Sequence, residues 1–145
     1  MKQTISSIIF IFICCTAIFA QTKAKPATAS SVKSTPAFAE IILLKTEVES
    51  TLEELLLDYK EEYPEVKKNR VELGFINKEL DKLLKLDASQ MPKLTLALGK
   101  LLVRKIELQS DLSALRENYK EDNPEVLRAK KKLEIFEKAI AEIMQ

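Results

Sequence analysis

The fold is decided by residues 51–80, which read TLEELLLDYKEEYPEVKKNRVELGFINKEL. A closely similar stretch, SDLSALRENYKEDNPEVLRAKKKLEIFEKAI, occupies residues 110–140. At a constant offset of 60 residues the two stretches share Tyr-Lys-Glu and Pro-Glu-Val. The same offset gives further identities on both sides of these motifs: Lys45/Lys105, Glu47/Glu107, Ser50/Ser110, Leu52/Leu112, Leu55/Leu115, Leu73/Leu133 and Lys78/Lys138. The chain therefore contains a tandem duplication of one supersecondary unit.

Each copy predicts two helices, one on either side of its proline. Before the proline, apolar residues recur at steps of three and four, which is the helical spacing. After the proline they continue as an a/d heptad, a pattern typical of helices that pack side by side. Proline costs about 3 kcal/mol inside a helix but is well suited to the first helical position. Pro64 and Pro124 therefore begin the second helix of each copy.

The turn before that second helix contains the candidate structural residues. Asn123 is a favourable N-cap and Tyr63 is a poor one, while Glu65 and Glu125 suit the positive N-terminus of a helix. Because the link is short, the two helices of a copy must run antiparallel. We interpret the repeated tyrosines as structural, closing the hairpin end over the first turn of the next helix, rather than functional. The predicted turn motif comprises Tyr59, Pro64, Glu65, Val66, Tyr119, Asn123, Pro124, Glu125 and Val126.

The predicted fold is all-α, built from two tandem antiparallel helical hairpins of the coiled-coil type. The first helix of each copy has an apolar stripe wider than an a/d seam. This width favours packing of both hairpins into one up-down-up-down four-helix bundle. The alternative is two separate hairpins that bury the extra surface in a dimer or against a partner. Hairpin 1 is predicted at 36–86 and hairpin 2 at 92–145, with helices at about 36–60, 64–85, 92–119 and 124–143.

Two pairs of positions within these helices allow two interpretations each. Lys45 and Lys105 lie close to the seam, where their stems would cover apolar surface while the ammonium reaches water or a glutamate. A role in setting helix register is the alternative. Gly74 and Gly99 each cost a helix up to about 1 kcal/mol relative to alanine. Each glycine marks either a close helix contact or a tolerated substitution.

Residues 1–20 predict a secretory signal peptide, with Lys2 before an apolar run and a cleavage site after Ala20. A retained membrane anchor is the alternative, although the run is short for a span of about 20 residues. Cys14 and Cys15 both lie in this segment, so the exported chain would contain no cysteine, which suits an oxidising compartment. We therefore predict a periplasmic or secreted protein that meets a membrane only if this segment is retained.

The rest of the chain is predicted to begin with a flexible linker and to carry no net charge. Residues 21–35 contain mostly small and polar residues, which bury too little surface to become ordered. The full chain has a formal net charge of +1, and cleavage removes Lys2 alone of the charged residues. A nucleic-acid-binding protein would show a basic excess, so this class of partner is disfavoured. The densest basic cluster, 130–132, reads as a solvated helix face.

The residue types needed for common catalytic chemistry are missing from the sequence. There is no histidine, which excludes imidazole acid–base catalysis, imidazole metal ligation and Ser-His-Asp catalysis. A di-metal site in a four-helix bundle would need Glu-x-x-His pairs, which the sequence lacks. It also lacks a Gly-rich loop for binding phosphate. The sequence predicts a non-enzymatic protein with no catalytic, cofactor-binding or metal-binding residues. Several glutamates are predicted on polar helix faces: Glu53, Glu54, Glu61, Glu62 and Glu79.

The turn pattern Tyr-x4-Pro-x-Val with flanking leucines resembles a hairpin turn found in polysaccharide chain-length determinant and exopolysaccharide-export proteins. In that family the turn lies in a periplasmic coiled-coil region. The resemblance implies an exported pair of long antiparallel helices joined at this turn. The chain differs from the family in having two hairpins in tandem and no nucleotide loop. The residues that carry the resemblance are Leu52, Leu55, Tyr59, Pro64, Val66 and Leu73, and Leu112, Leu115, Tyr119, Pro124, Val126 and Leu133.

These observations favour an exported, non-enzymatic helical scaffold or protein-interaction module of the cell envelope. Protein partners would bind through helix faces, and the chain itself could be a homo-oligomer. One alternative is a periplasmic holdase-type chaperone. Another is an accessory subunit of an envelope polysaccharide export or length-control system, which the resemblance implies.

Overall fold

A computed structural model describes residues 29–145, so the predicted signal peptide and residues 21–28 of the predicted linker lie outside the described residues. Residues 29–145 fold into helices, and the predicted all-α class is confirmed. The elements in chain order are α1 (Ala29–Lys33), α2 (Pro36–Asp58), α3 (Pro64–Leu84), the 3₁₀ helix η1 (Ala88–Lys93), α4 (Leu96–Asn118) and α5 (Pro124–Met144). Helices α2 and α3 are the predicted hairpin 1, and α4 and α5 are the predicted hairpin 2.

The two hairpins pack against each other rather than standing apart. Consecutive helices α2 and α3 contact each other, as do α4 and α5, and each pair is joined by a short turn that makes its helices antiparallel. Helix α4 packs on both α2 and α3, whereas α5 packs mainly on α4 and also touches η1. The buried core lies chiefly between α2, α3 and α4 and comprises Val32, Ala37, Phe38, Ile41, Val48, Ile76, Leu80, Leu83, Leu94, Leu98, Leu102 and Ile106.

The prediction of a flexible linker is wrong for residues 29–33, whereas Thr35 and Pro36 begin α2 at the predicted position. Residues 29–33 form α1, which packs on α2 and α3. Val32 is the one large apolar residue of the predicted linker, and its side chain is fully buried in the core. Thr35 is also buried and caps α2 by accepting a hydrogen bond from the backbone N–H of Phe38. A prediction from composition fails here because the buried side chain of Val32 and the cap at Thr35 attach this segment to the core. Residues of other helices form most of that core.

The predicted start of the third long helix at Pro92 is also wrong. Pro92 lies inside η1, and α4 begins at Leu96. Thr95 is the N-cap, because its side-chain oxygen accepts a hydrogen bond of 3.3 Å from the backbone N–H of Leu98. A side-chain cap satisfies one of the backbone donors that a helix start leaves unpaired, which a proline at the first position does not do.

The repeated unit begins earlier than its long helices. At the same offset of 60 residues, α1 corresponds to the last part of η1, so each copy has a short helical element before its first long helix. The caps Thr35 and Thr95 are equivalent, and two further identities, Lys33/Lys93 and Ala37/Ala97, accompany them. The structural unit is therefore a short helix followed by an antiparallel helical hairpin. We call residues 29–84 repeat 1 and residues 89–144 repeat 2.

Candidate interaction faces

The turn motif is built as the sequence predicts at its proline and valine positions. Pro64 and Pro124 occupy the start of α3 and α5, and the side chains of Val66 and Val126 are fully buried beneath the turns. Asn123 caps α5 by accepting a hydrogen bond of 2.9 Å from the backbone N–H two residues later. The other turn has no side-chain cap, as expected for a tyrosine at that position. The predicted glutamates, Glu65 and Glu125, lie in the first turns of these helices.

The two repeated tyrosines lie at the hairpin ends, and their role in closing those ends stays a prediction. Tyr59 and Tyr119 are exposed, and each ends its helix through a backbone N–H that donates to a carbonyl four residues earlier. The Tyr59 ring stacks on Tyr63, with ring centroids 4.0 Å apart. Repeat 2 has Asn123 in place of Tyr63, so the stack is a feature of repeat 1 alone. The backbone contact needs no tyrosine, so it does not explain why the residue is repeated.

Each turn also contains an ion pair that sequence reasoning missed. Glu61 binds Arg70 at 2.6 Å, and at the equivalent positions Glu121 binds Lys130. Glu121 also binds Arg116 at 2.7 Å. The hydrogen bond from Arg70 lowers the pKa of Glu61, and those from Lys130 and Arg116 lower the pKa of Glu121. The sequence signal that could have predicted these ion pairs is the presence of opposite charges at the same spacing in both copies. These groups are exposed, so the pairs contribute little to stability.

A buried ion pair joins the two repeats. Glu79 of α3 and Lys105 of α4 are only 4% and 7% exposed, and the Lys105 Nζ lies 2.7 Å from the Glu79 Oε1. Lys82, at the surface, donates to the same oxygen at 2.7 Å. Burial alone would raise the pKa of Glu79, but the hydrogen bonds from the two lysines outweigh it, so this pKa is lowered. The expectation that Glu79 lies on a polar face is therefore wrong.

The buried pair has no counterpart in the other half of the duplication. Position 139, equivalent to Glu79, is alanine, and Lys45, equivalent to Lys105, is half-buried and pairs with Glu49 at 3.4 Å on its own helix. Lys45 thus reaches a neighbouring glutamate, as its sequence position suggested. Lys105 reaches a glutamate on another helix, which supports the alternative interpretation of a register-setting residue.

Gly99 marks a close helix contact, and Gly74 does not. A Cβ atom at position 99 would lie 2.9 Å from the Cα of Ala37, whereas a Cβ at position 74 would meet nothing within 4 Å. The interpretation as a close helix contact therefore applies to Gly99, and the interpretation as a tolerated substitution applies to Gly74. The absence of a side chain at Gly99 lets the start of α4 approach the start of α2 closely.

Two grooves run between α3 and α4. The first, of about 220 Å³, is also bordered by α5 and is mostly apolar; it is lined by Leu83, Leu86, Leu98, Leu102, Ile140 and Met144 around the buried ion pair. The second, of about 180 Å³, lies nearer the hairpin tip of repeat 1 and includes Lys68, Ser110 and Glu117. Beside it, burial raises the pKa of Glu72.

Several large apolar side chains are exposed to solvent. Leu43 and Leu57 of α2 are 56% and 84% exposed, and Ile135 of α5 is 66% exposed. Other large aliphatic residues that are exposed within residues 29–145 are Ile42, Leu96 and Leu127. Single exposed leucines are common on protein surfaces. An exposed apolar residue is more informative where the equivalent residue of the other repeat is buried, because one repeat then leaves open a face that the other covers.

Comparison with known proteins identifies no relative: no family model, curated protein or solved structure matches the chain. Among residues 29–145, no helix has the length and hydropathy required to cross a membrane. Within the same residues, no group of three or more acidic, histidine or cysteine side chains could hold a metal ion.

Proposed function

We propose that this chain is an exported, non-enzymatic helical scaffold of the cell envelope that binds protein partners through its helix faces. The export part of the proposal rests on the sequence of residues 1–20. The binding part rests on the faces of α2 and α5 that the folded chain leaves open.

The observation that carries the proposal is a difference in burial between equivalent positions of the two repeats. Leu102 and Ile106 of α4 are buried against repeat 1, whereas the equivalent residues of α2, Ile42 and Thr46, are exposed. A helix face that is covered in one copy is therefore uncovered in the other. Uncovered apolar surface beside charged residues is typical of protein-binding sites.

Site-specific photocrosslinking in the producing cell tests this proposal. A photoreactive residue at Leu43 on the open face of α2 should give a discrete crosslinked product in the envelope fraction. The matched control is the same residue at Glu62, which is exposed in the turn after α2. Equal yields at the two positions, or no product at either, would contradict the proposal.

The mass of the crosslinked product also identifies the kind of partner. The full chain has a mass of 16.5 kDa, so a product at twice the mass of the isolated chain would indicate a second copy. Any other mass would indicate a different protein. Intact-mass measurement of the isolated chain also tests export, because cleavage after Ala20 should leave Gln21 at the N-terminus, whereas an uncleaved chain would support the retained anchor.

The apolar groove favours a second candidate function, that of a holdase-type chaperone. Such a protein should suppress aggregation of an unfolded outer-membrane protein at a near-equal molar ratio. Met144→Glu places a charge at the edge of the groove, while Gln145→Glu adds the same charge beside it on an exposed residue. The holdase function predicts that the first variant loses more activity than the second. An unmodified chain without any effect on aggregation would exclude this function.

A role in polysaccharide export stays a prediction that depends on the resemblance of the turn motif. Val66 and Val126, two residues after the prolines, are fully buried and support the hairpin that the resemblance implies. An association with polysaccharide-export genes would favour this role, and an unrelated gene neighbourhood would count against it.

A further inference from the structure

The two repeats pack together through unlike faces. We call the surface of α4 that packs on repeat 1 the leading face of repeat 2. Its members include Leu102, Lys105, Ile106 and Ser110, all buried. The equivalent leading face of repeat 1 comprises Ile42, Lys45, Thr46 and Ser50. Of these, Lys45 is half-buried and the other three are exposed.

The surface of repeat 1 that receives α4 is different, and we call it the trailing face. It comprises Ala37 of α2 and Lys68, Glu79 and Leu83 of α3. The equivalent trailing face of repeat 2 comprises Ala97 of α4 and Arg128, Ala139 and Ile143 of α5. Ala37 is fully buried, whereas Ala97 and Arg128 are exposed and Ala139 and Ile143 are half-buried. The trailing face that is covered in repeat 1 is therefore partly open in repeat 2.

This packing is heterologous, because one face binds a different face. Such contacts leave an unused face at each end and allow further copies to add head to tail, whereas a two-fold contact would use like faces and close. We propose that a second copy of this chain docks its repeat 1 leading face on the repeat 2 trailing face, reproducing between chains the contact made within the chain. This inference rests on the proposed binding function and names the partner.

The charges on the two open faces are complementary. In the trailing face and its border, Arg128 and Lys131 are exposed on α5. At the matching end of the open leading face, Glu53, Glu54 and Asp58 are exposed on α2. The contact within the chain places the equivalents of these two groups on opposite walls of one groove. The same geometry between chains would set two cations against three carboxylates, in addition to the Glu125 carboxylate that pairs with Arg128 on α5 at 2.7 Å.

The contact between the two repeats of one chain has fewer charged residues at the positions equivalent to these open-face charges. The equivalents of Lys131, Glu53 and Glu54 are the groove residues Val71, Ser113 and Ala114, which are uncharged. The covered walls do contain Glu65, Lys68 and Glu117, but they lack the charges that the open faces have at these three positions. Complementary charge of this kind directs association and fixes its orientation.

The position of the buried ion pair is also compatible with docking. Within the chain, Lys105 meets Glu79. In a contact between chains the equivalent residues are Lys45 and Ala139, so Lys45 would find no carboxylate at that position. Glu142 occupies the position equivalent to Lys82, so a carboxylate returns three residues along the same helix. Lys45 would thus exchange a glutamate of its own helix for one of the second copy.

Sedimentation equilibrium over a range of concentrations tests the inference on the protein as isolated after export. We expect a reversible rise of the average mass beyond that of a dimer, because head-to-tail contacts do not close after two copies. High salt should weaken the association, since its charges are exposed before docking. A chain that stays monomeric at high micromolar concentration, or that stops at a closed dimer, would overturn the inference.

Charge reversal identifies the faces. Glu53→Lys with Glu54→Lys should abolish association, and so should Arg128→Glu with Lys131→Glu. An equimolar mixture of the two variants should associate again, because each retains one native face. The control is Glu62→Lys with Glu137→Lys, the same change of charge at exposed residues outside both faces, and it should associate like the unmodified chain.

The outcomes separate this inference from the proposed function. Circular dichroism checks that all variants keep their helices. If folded variants do not recover association on mixing, or if the reversed faces still associate, docking through these faces is refuted. A monomeric chain that nevertheless gives a crosslinked product with another protein at Leu43 would refute the second copy as partner and leave the scaffold function standing.

Discussion

Replacing Glu79 with alanine, the residue that repeat 2 has at the equivalent position, should strongly destabilise the fold. The substitution leaves the Lys105 ammonium without its carboxylate at a site where the side chain is only 7% exposed. Removal of one partner of a buried pair typically costs about 3–5 kcal/mol. The apolar groove borders Lys105 and offers its ammonium a path to water, so we expect a loss of about 3 kcal/mol in the free energy of unfolding.

Urea denaturation followed by circular dichroism measures this loss. The matched control compares Lys105→Met with Lys45→Met at the equivalent position. Lys45 has an exposed partner on its own helix, and such pairs contribute about 0.3–0.5 kcal/mol. We therefore expect the variant at position 105 to lose several times more stability than the variant at position 45. Similar losses at the two positions would refute the argument that burial decides the effect.

A double variant tests the physical reason. Replacing Glu79 by leucine together with Lys105 by methionine removes both charges and keeps apolar volume, which is often neutral or stabilising for a buried pair. The double variant should therefore be more stable than Glu79→Ala. If the losses of the single changes simply added, the uncompensated charge would not be the cause of the destabilisation.

The pH dependence of stability gives an independent check. The folded pKa of Glu79 lies below the ordinary value of 4.5, so as the pH falls the unfolded chain binds the proton first. The contribution of the pair is present above that ordinary value and is lost as the pH falls through the folded pKa. Glu61 and Glu121 shift in the same direction, so the comparison is with Glu79→Gln, which should be less sensitive to acid than the unmodified chain.

Three further changes test the packing and the caps. Gly99→Ala should destabilise the fold, because its Cβ would lie 2.9 Å from the Cα of Ala37, whereas Gly74→Ala should stabilise it by up to about 1 kcal/mol in the same urea assay; the same sign for both would contradict the close contact. Thr95→Ala should cost about 1 kcal/mol, and Thr95→Ser should recover most of it; no recovery would argue against a side-chain cap. Val126→Ala should cost about 2 kcal/mol from two lost methyl groups and the cavity they leave, and a negligible change in the thermal midpoint would show that the turn is not packed as described.

Much of the helical structure follows from short-range signals. The prolines at 64 and 124 suit the start of a helix, and the apolar steps of three and four extend it, so α2, α3 and α5 lie close to their predicted bounds. Asn123 forms the predicted cap because a cap needs only the first turn of its own helix. The start of α4 was predicted too early because Pro92 is the stronger sequence signal, while the Thr95 cap beside it is the one used.

The candidate faces depended on information that no single stretch of sequence contains. Glu79 looks like a surface residue on its own helix and becomes buried because Lys105, from the other repeat, reaches it. Val32 looks isolated in a polar segment until α2 and α3 supply a core for it. Long-range contacts of this kind override local composition.

The sequence by itself determined a duplicated, proline-started hairpin of helices, because periodicity, capping and helix-breaking act over a few residues. Only the tertiary structure decided which face of each copy is covered. Equivalent residues such as Ser50 and Ser110 are chemically identical, yet one is exposed and the other buried. The reason is that repeat 2 follows repeat 1 and packs on it through unlike faces, so position in the array decides which faces remain open.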